Sequence, residues 1–167
     1  MFALVNLKTS SFVFLRFVMP LWSLFQSSNT KLVIERIEDY PLGKPFPPYV
    51  VNLTIKGISL KSFDSRLLRL NNLTVLTIEN TGLESIPEAI GQLALTLLNL
   101  NSNAINGFPG VLVNSALACA LRCLNLSFNR ITFLPVDFWN LRCLEKLSIT
   151  GTAHKYFLNY ALVTLMQ

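Results

Sequence analysis

The chain contains few charged residues for its length. Asp, Glu, Lys and Arg make up 14% of its 167 residues and hydrophobic residues make up 51%, whereas about 25% of residues are charged in an average soluble domain. Intrinsically disordered chains have the opposite balance, so the composition excludes that class. The formal net charge is +5, but no run of basic residues marks a nucleic-acid groove, and we expect no nucleic-acid partner.

The sequence also has few of the side chains that catalysis and metal binding require. His154 is its single histidine, and no nucleophile motif accompanies it, so a catalytic triad is not indicated. Cys119, Cys123 and Cys143 do not form the paired clusters typical of metal sites, and their odd number favours unpaired thiols in a reducing compartment. No glycine-rich nucleotide loop is present. We therefore expect no enzymatic activity, no metal and no cofactor.

A long uninterrupted hydrophobic run is missing as well. Residues 1–30 are apolar, but Arg16 and Pro20 interrupt them, whereas a transmembrane helix needs about 20 apolar residues in succession. Lys8 follows an apolar stretch, although a signal peptide places its positive charge first. We therefore treat residues 1–30 as an apolar N-terminal segment and do not expect a membrane partner. A membrane-associated or secreted protein is kept as an alternative.

Residues 31–49 combine a strand pattern with a proline-rich stretch. Residues 31–37 alternate between apolar and polar side chains, which predicts a strand. Four prolines follow within residues 41–48, and proline at that density prevents regular strand pairing. This part of the chain is therefore predicted to be a strand followed by an extended connector.

Residues 50–152 are periodic. Five segments begin at Val50, Leu73, Leu95, Leu121 and Leu144, at intervals of 23, 22, 26 and 23 residues. Their shared pattern, L-x-x-L-x-L-x-x-N-x-L, resembles that of the leucine-rich-repeat family. The repeat pattern is lost in residues 153–167, which we treat as a non-repeat tail.

The pattern predicts an α/β solenoid, a leucine-rich-repeat horseshoe segment of four to five repeats with parallel strands on its concave face. The L-x-L core of each repeat alternates, which predicts a short strand with both leucines facing inward. A single repeat cannot bury its apolar face alone, so neighbouring repeats must stack. The third repeat is longer, and residues 111–120 contain a stretch rich in Ala and Leu that suits a short helix.

The Asn position of the pattern follows each strand. In this family its side chain satisfies backbone groups of the turn that leaves the strand. Asn103 and Asn129 occupy the position in the third and fourth repeats, whereas Thr81 and Thr152 occupy it in the second and fifth. Ile58 occupies it in the first repeat and cannot form a side-chain hydrogen bond, so the outer repeats are degenerate.

The residues between the leucines of each strand are predicted to project from the concave face in columns. They combine small polar side chains with a mild apolar stripe, a type of surface that can bind a protein. An ordinary solvated sheet is the alternative. The candidate protein-binding residues are Lys56, Val75, Thr77, Glu79, Leu97, Asn99, Asn101, Asn125, Ser127 and Phe128.

Features outside the basic repeat strengthen one particular resemblance. The lead-in D-Y-P-L at residues 39–42, with Lys44, Phe46 and Pro47 after it, is similar to that of the leucine-rich-repeat substrate receptors of cullin-RING ubiquitin ligases. The long third repeat supports this similarity, which covers residues 31–152. The resemblance implies a non-enzymatic protein-binding module that recruits a ubiquitination substrate in the nucleus and cytoplasm.

The chain departs from that family at both ends. The family has a pleckstrin-homology-like domain before its repeats, and here only residues 31–37 could be the last strand of such a domain. Nothing in residues 153–167 resembles a region that couples to the elongin–cullin complex, so that complex is an expected partner only of a longer form. The alternative is a leucine-rich-repeat scaffold or signalling protein without a ligase connection.

Leucines at the inward positions are expected to carry much of the stability. Leu98→Ala, Leu100→Ala and Leu126→Ala should each lower the free energy of unfolding by about 2–5 kcal/mol, because each leaves a cavity in the core. Chemical denaturation of each variant measures this loss. Lys56→Ala, on the concave face, is the control that should leave folding intact, and an unchanged melting temperature in the leucine variants would contradict the repeat register.

Overall fold

The chain folds as a single parallel sheet backed by short helical segments. The computed structural model describes residues 30–152, and its six strands follow one another across the sheet in chain order. This confirms the predicted solenoid and adds one strand to the five repeats of the pattern. The strands are β1 (Lys31–Ile34), β2 (Asn52–Lys56), β3 (Val75–Glu79), β4 (Leu97–Asn99), β5 (Cys123–Asn125) and β6 (Lys146–Ser148).

The strand register follows the sequence period. Asn52 pairs with Val75, Val75 with Leu97, Leu97 with Cys123, and Cys123 with Lys146. These steps of 23, 22, 26 and 23 residues equal the intervals between the repeats. The longer third repeat therefore adds its extra residues outside the sheet, and the strands stay aligned.

Alternation along each strand separates the core from the open side of the sheet. In β3, Leu76 and Ile78 are buried, whereas Val75, Thr77 and Glu79 are only partly buried and lie on the opposite side. We call this opposite side the concave face. The buried side of the sheet packs against the returning segments that follow β1 to β5. The fully buried side chains of this common core include Leu53, Ile55, Leu67, Leu70, Leu73, Leu76, Ile78, Leu83, Ile90, Leu95 and Leu98.

Short helices follow each strand from β1 to β5 and form the returning side of the solenoid. The third repeat contains two α-helices where the sequence predicts one, because Ser115 interrupts them with an extended backbone (φ −133°, ψ −178°). Its hydroxyl donates to the carbonyl of Val111 at 2.7 Å and accepts from the N–H of Leu117 at 3.3 Å. The α-helices are α1 (Val111–Asn114) and α2 (Leu117–Ala120), and the 3-10 helices are Ile37–Asp39, Ser65–Arg69, Glu88–Gln92 and Val136–Asn140.

Residues 31–49 belong to the solenoid. The strand predicted in this segment is β1, and it pairs in parallel with β2. The proline-rich stretch after it, predicted as an extended connector, contributes two buried aromatic side chains to the common core. These are Tyr40 and Phe46, whose rings meet edge to face with centroids 5.8 Å apart. This segment therefore forms the first coil of the repeat stack.

A charged cluster of Tyr40, Asp64 and Arg66 connects this first coil to the next repeat through hydrogen bonds. Asp64 accepts a hydrogen bond from the Tyr40 hydroxyl at 2.6 Å and pairs with Arg66. The Arg66 guanidinium also donates to the carbonyls of Pro41 and Lys44. Backbone carbonyls of the proline-rich stretch thus find a donor in the neighbouring repeat, which satisfies groups that the missing strand pairing leaves open.

The charged cluster shifts the pKa values of its members. Burial would raise the pKa of the Asp64 carboxyl, but hydrogen bonds from Arg66 and Tyr40 to the ionised form outweigh it, so this pKa lies below its usual range. Burial and the neighbouring Asp64 carboxylate raise the pKa of the Tyr40 phenol. Asp64 therefore stays ionised and Tyr40 stays protonated at neutral pH, as their hydrogen bond requires.

Several expectations fall outside the described residues. They concern the apolar segment before residue 30, the tail at residues 153–167, and His154. Within residues 30–152, no helix is long and apolar enough to cross a membrane.

The charged cluster should make stability depend on pH in the acid range. A carboxyl whose pKa is lower in the folded state stabilises the protein above its unfolded pKa, which is about 3.9 for Asp. That contribution is lost as the pH falls through the folded pKa. We therefore expect the stability difference between the parent protein and Asp64→Asn to be constant near neutrality and to shrink below about pH 4.

Urea unfolding at pH values from 7 down to 3 measures this difference. Asp137→Asn is the control, because Asp137 is exposed and lies in a different repeat. A difference between parent and Asp64→Asn that stays constant down to pH 3 would contradict the role assigned to the charged cluster.

Candidate protein-binding surface

The register arranges the concave face in columns, one residue per strand. The apolar flank of this face aligns Val75, Leu97 and Cys123, and Lys56 aligns with Glu79 near the other end of the strands. All of these are as predicted. The predicted middle column is also observed, and its members are Thr54, Thr77, Asn99, Asn125 and Ser148.

The Asn103 side chain fixes the turn that follows β4. Its Oδ1 accepts hydrogen bonds from the backbone N–H groups of Thr81 and Leu83, both at 3.1 Å. Its Nδ2 donates to the carbonyls of Ile78 at 2.7 Å and Leu100 at 3.0 Å. One amide therefore holds the ends of two successive strands, which confirms the role predicted for the Asn position.

Asn129 has the same role one repeat later and is buried. Its Oδ1 accepts from the N–H of Ile105 at 3.1 Å, and its Nδ2 donates to the carbonyls of Leu100 at 2.9 Å and Leu126 at 3.0 Å. These contacts satisfy backbone groups that are buried away from water, where an unpaired group is costly. The strand ends that border the concave face are therefore held in fixed positions.

A second regular feature lies one to three residues after the end of each strand from β2 to β6. One residue there adopts a left-handed backbone in five successive repeats, with φ of 70° at Gly57, 51° at Asn80, 55° at Ser102, 53° at Phe128 and 68° at Gly151. Gly and Asn tolerate this conformation, whereas it is a genuine outlier for a bulky side chain. Phe128 therefore occupies a position that its residue type disfavours.

Phe128 is also largely exposed, with 57% of its surface accessible to solvent. Its ring lies over Gly151, where a Cβ atom would come within 2.5 Å of the Phe128 Cδ1. The Phe128 N–H donates to the carbonyl of Thr150 at 2.7 Å. The backbone is therefore held by the neighbouring repeat while most of the ring faces solvent at the rim of the concave face.

Two predicted surface residues are less available than expected. Ser127 is buried, because its hydroxyl forms a 2.7 Å hydrogen bond with that of Ser148 and accepts from the N–H of Thr150 at 3.1 Å. The expectation that Ser127 belongs to the accessible surface is therefore wrong. Glu79 is partly engaged, since its Oε1 lies 3.6 Å from the Lys56 Nζ and accepts from Asn101 Nδ2 at 3.3 Å.

A shallow hollow lies on the concave face over β4, β5 and β6. Its volume is about 240 Å³. It brings together three of the predicted residues, Leu97, Asn99 and Asn125, but not Lys56, Val75, Thr77 or Phe128, which lie elsewhere on the face or its rim. The lining residues are Leu97, Leu98, Asn99, Cys123, Leu124, Asn125, Lys146, Leu147 and Ser148.

Sequence reasoning missed Lys146 as a surface residue of this face. The strand register places it beside Cys123, and its position two residues before Ser148 was the signal that could have identified it. It also missed an exposed apolar group on the returning side of the fourth repeat, formed by Phe133, Val136 and Trp139.

The described residues offer a surface and little reactive chemistry. Within residues 30–152, no group of three or more His, Cys, Asp or Glu side chains could hold a metal ion. The thiols of Cys119, Cys123 and Cys143 are free, as their number suggested. What the arrangement can supply is hydrogen bonding and apolar contact across the sheet.

The left-handed backbone at Phe128 can be tested by substitution. Phe128→Gly should be more stable than Phe128→Ala by about 1 kcal/mol, because only glycine adopts this conformation without steric cost. Thr77 lies within a strand and is the control, where the glycine variant should be the less stable one by about 0.5–1 kcal/mol. Urea unfolding compares the four variants, and the same order at both positions would contradict a left-handed Phe128.

Comparisons with known proteins agree with this architecture. A family model described as Leucine Rich Repeat matches residues 120–141. Leucine-rich repeat protein 1 of Mus musculus is 40% identical over 96 residues, which are 57% of this chain and 23% of the mouse protein. Its Homo sapiens counterpart is 38% identical over 96 residues, which are again 57% of this chain and 23% of the human protein. The matched region therefore spans about a quarter of the length of these relatives.

Solved structures give the same fold at lower sequence identity. A leucine-rich-repeat protein of Leptospira interrogans superposes with a TM-score of 0.56 at 24% identity, covering 65% of this chain and 29% of that one. The leucine-rich-repeat ectodomain of a receptor kinase from Arabidopsis thaliana gives 0.52 at 20% identity, covering 66% and 64%. With the repeat register and the Asn103 and Asn129 turns, these matches show that residues 30–152 have the leucine-rich-repeat fold, and residues 120–141 match the model of one such repeat.

Proposed function

We propose that this chain is a non-enzymatic protein-interaction module that binds its partner through the concave face. Leucine-rich-repeat proteins are generally modules of this kind. The observation that carries the proposal is Phe128, an exposed aromatic side chain at the rim of the concave face on a disfavoured backbone. The candidate residues Val75, Thr77 and Asn99 lie along the same face.

Folding alone gives little reason for a phenylalanine at position 128. The equivalent positions hold Gly, Asn or Ser, and 57% of the Phe128 surface stays exposed although its ring packs against Gly151. Backbone strain of this kind occurs preferentially at functional sites. Aromatic side chains, Phe among them, are also enriched in protein–protein interfaces. Phe128 is therefore the proposed anchor for a partner.

The finer proposal is that the partner is a ubiquitination substrate and that the chain resembles the repeats of a ligase substrate receptor. Its support is the lead-in at residues 39–47, which carries the resemblance. Tyr40 and Phe46 of this lead-in are buried in the core, and Arg66 binds the carbonyls of Pro41 and Lys44. The lead-in thus has a defined structural task at the start of the repeats.

The ligase connection would require more chain than the repeats themselves. An elongin–cullin complex is proposed as a partner only of a longer form that carries a coupling region. For such a form we propose a location in the nucleus and cytoplasm. The competing proposal is a scaffold or signalling protein that uses the same concave face without a ligase.

Affinity capture followed by mass spectrometry tests the interaction module. The parent chain and Phe128→Ala are each used to capture partners from cells. For partners that the ring anchors, we expect the captured amount to fall about tenfold or more in Phe128→Ala. Phe133→Ala is the matched control, because Phe133 is equally exposed, at 61% against 57%, but lies away from the concave face. Partners lost with Phe133→Ala and kept with Phe128→Ala would refute the concave face as the binding site.

The same experiment separates the two finer proposals. The longest natural form that contains these repeats is tagged and its captured proteins are examined for elongin and cullin subunits. Their presence supports the substrate-receptor role. Recovery of Phe128-dependent partners without any elongin or cullin subunit would favour the scaffold instead. A mass shift on glycosidase treatment would contradict the nuclear and cytoplasmic location.

A further inference from the structure

The hollow over β4, β5 and β6 contains two amide groups with fixed orientation. Asn99 Oδ1 accepts from the N–H of Asn101 at 3.0 Å, and Asn125 Oδ1 accepts from the N–H of Ser127 at 3.0 Å. Because each Oδ1 is hydrogen-bonded to the backbone two residues later in the chain, each Nδ2 is directed away from that bond. Neither Nδ2 has a hydrogen-bond partner among residues 30–152.

These two donors are neighbours across the sheet. Asn99 pairs with Asn125 in the strand register, and adjacent strands lie about 4.8 Å apart. An amide NH₂ group can only donate, so a ligand that matches the pair must present acceptor oxygens. A carbonyl group and a carboxylate both satisfy this requirement.

The positive charge of Lys146 favours a carboxylate over a neutral carbonyl group as the ligand. Lys146 aligns with Cys123 in the register and lines the same hollow. The neighbouring Glu145 pairs with Arg122, and within residues 30–152 no carboxylate lies within ion-pair distance of the Lys146 ammonium. The hollow therefore carries one uncompensated positive charge.

The remaining lining residues add no opposing charge. None of the residues that line the hollow is an Asp or Glu, and Leu97 and Cys123 give it an apolar edge. The acid elsewhere on this face, Glu79, is already paired with Lys56. The charge of the hollow is therefore complementary to an anion, and hydrogen bonds to a charged acceptor are the stronger kind.

We infer that this hollow binds a carboxylate side chain of an acidic peptide segment in the partner. Asn99 and Asn125 donate to the carboxylate oxygens, Lys146 supplies the opposite charge, and Leu97 with Cys123 contacts an apolar side chain beside the acid. The inference deepens the proposed function and depends on it, because it names the chemical class of partner that the concave face recognises.

Peptide selection tests this inference without a known partner. The probe is a library of random 12-residue peptides displayed on phage and selected on the full chain. We expect peptides that contain Asp or Glu next to an aliphatic or aromatic residue to be enriched. One selected peptide is then synthesised in its acidic form and with the acid replaced by its amide, and both are measured by fluorescence anisotropy.

The expected result is that the acidic peptide binds about tenfold or more tightly than its amide form, and that added salt weakens it. Asn125→Asp is the decisive variant, because its Oδ1 can keep the backbone hydrogen bond while the donor becomes an acceptor. It should abolish preference for the acidic peptide, and Lys146→Ala should weaken that peptide about tenfold. Arg69→Ala is the control, since it removes an exposed positive charge from a returning helix.

Other outcomes overturn the inference in distinguishable ways. Enrichment of neutral or basic peptides whose binding is lost in Phe128→Ala would refute the acidic partner and leave the concave interaction module standing. Equal effects of Lys146→Ala and Arg69→Ala would refute the hollow as the binding site. Selected peptides insensitive to Phe128→Ala, Asn125→Asp and Lys146→Ala alike, or no enrichment over an uncoated surface, would count against both proposals.

Discussion

Each repeat of this chain can bury its aliphatic side chains only against the repeats on either side of it. Leu76 of β3 is buried because Leu53 and Leu98 lie beside it in the neighbouring strands, and the same holds along the sheet. A parallel pairing that slipped by one residue would turn these side chains toward solvent. The register is therefore fixed by burial, and everything on the concave face inherits its position from that register.

The turns that end the strands follow from the same constraint. Stacked strands leave backbone groups at their ends that no strand pairing satisfies, and the buried Asn129 amide and its counterpart at Asn103 satisfy them. The left-handed residues Ser102 and Phe128 directly precede these two asparagines in the chain. At Phe128 this geometry places a bulky, exposed ring where other repeats place a small or polar residue.

Some polar groups of the concave face are already hydrogen-bonded within the fold. Asn99 and Asn125 bind their own backbones through oxygen, so each presents a donor in a defined direction. A ligand meets these donors already ordered, which lowers the conformational cost of binding. Lys56 and Glu79 pair with each other on this face, whereas within residues 30–152 Lys146 has no carboxylate partner. This single positive charge is the basis of the proposed preference for an acidic partner.

Period and alternation in the sequence were sufficient for the strands, the inward leucines, the middle column and the two amide turns, because these depend on residues at fixed spacing. Contacts between residues that do not share that spacing were decided by the tertiary structure. The pairing of Tyr40 with Asp64 and the burial of Ser127 against Ser148 are of this kind. In each of these contacts the two residues come from different repeats and meet only after the repeats stack. The repeat pattern of the sequence therefore does not predict these contacts. The hollow likewise exists only once β4, β5 and β6 lie side by side, since its donors and its positive charge come from three different repeats.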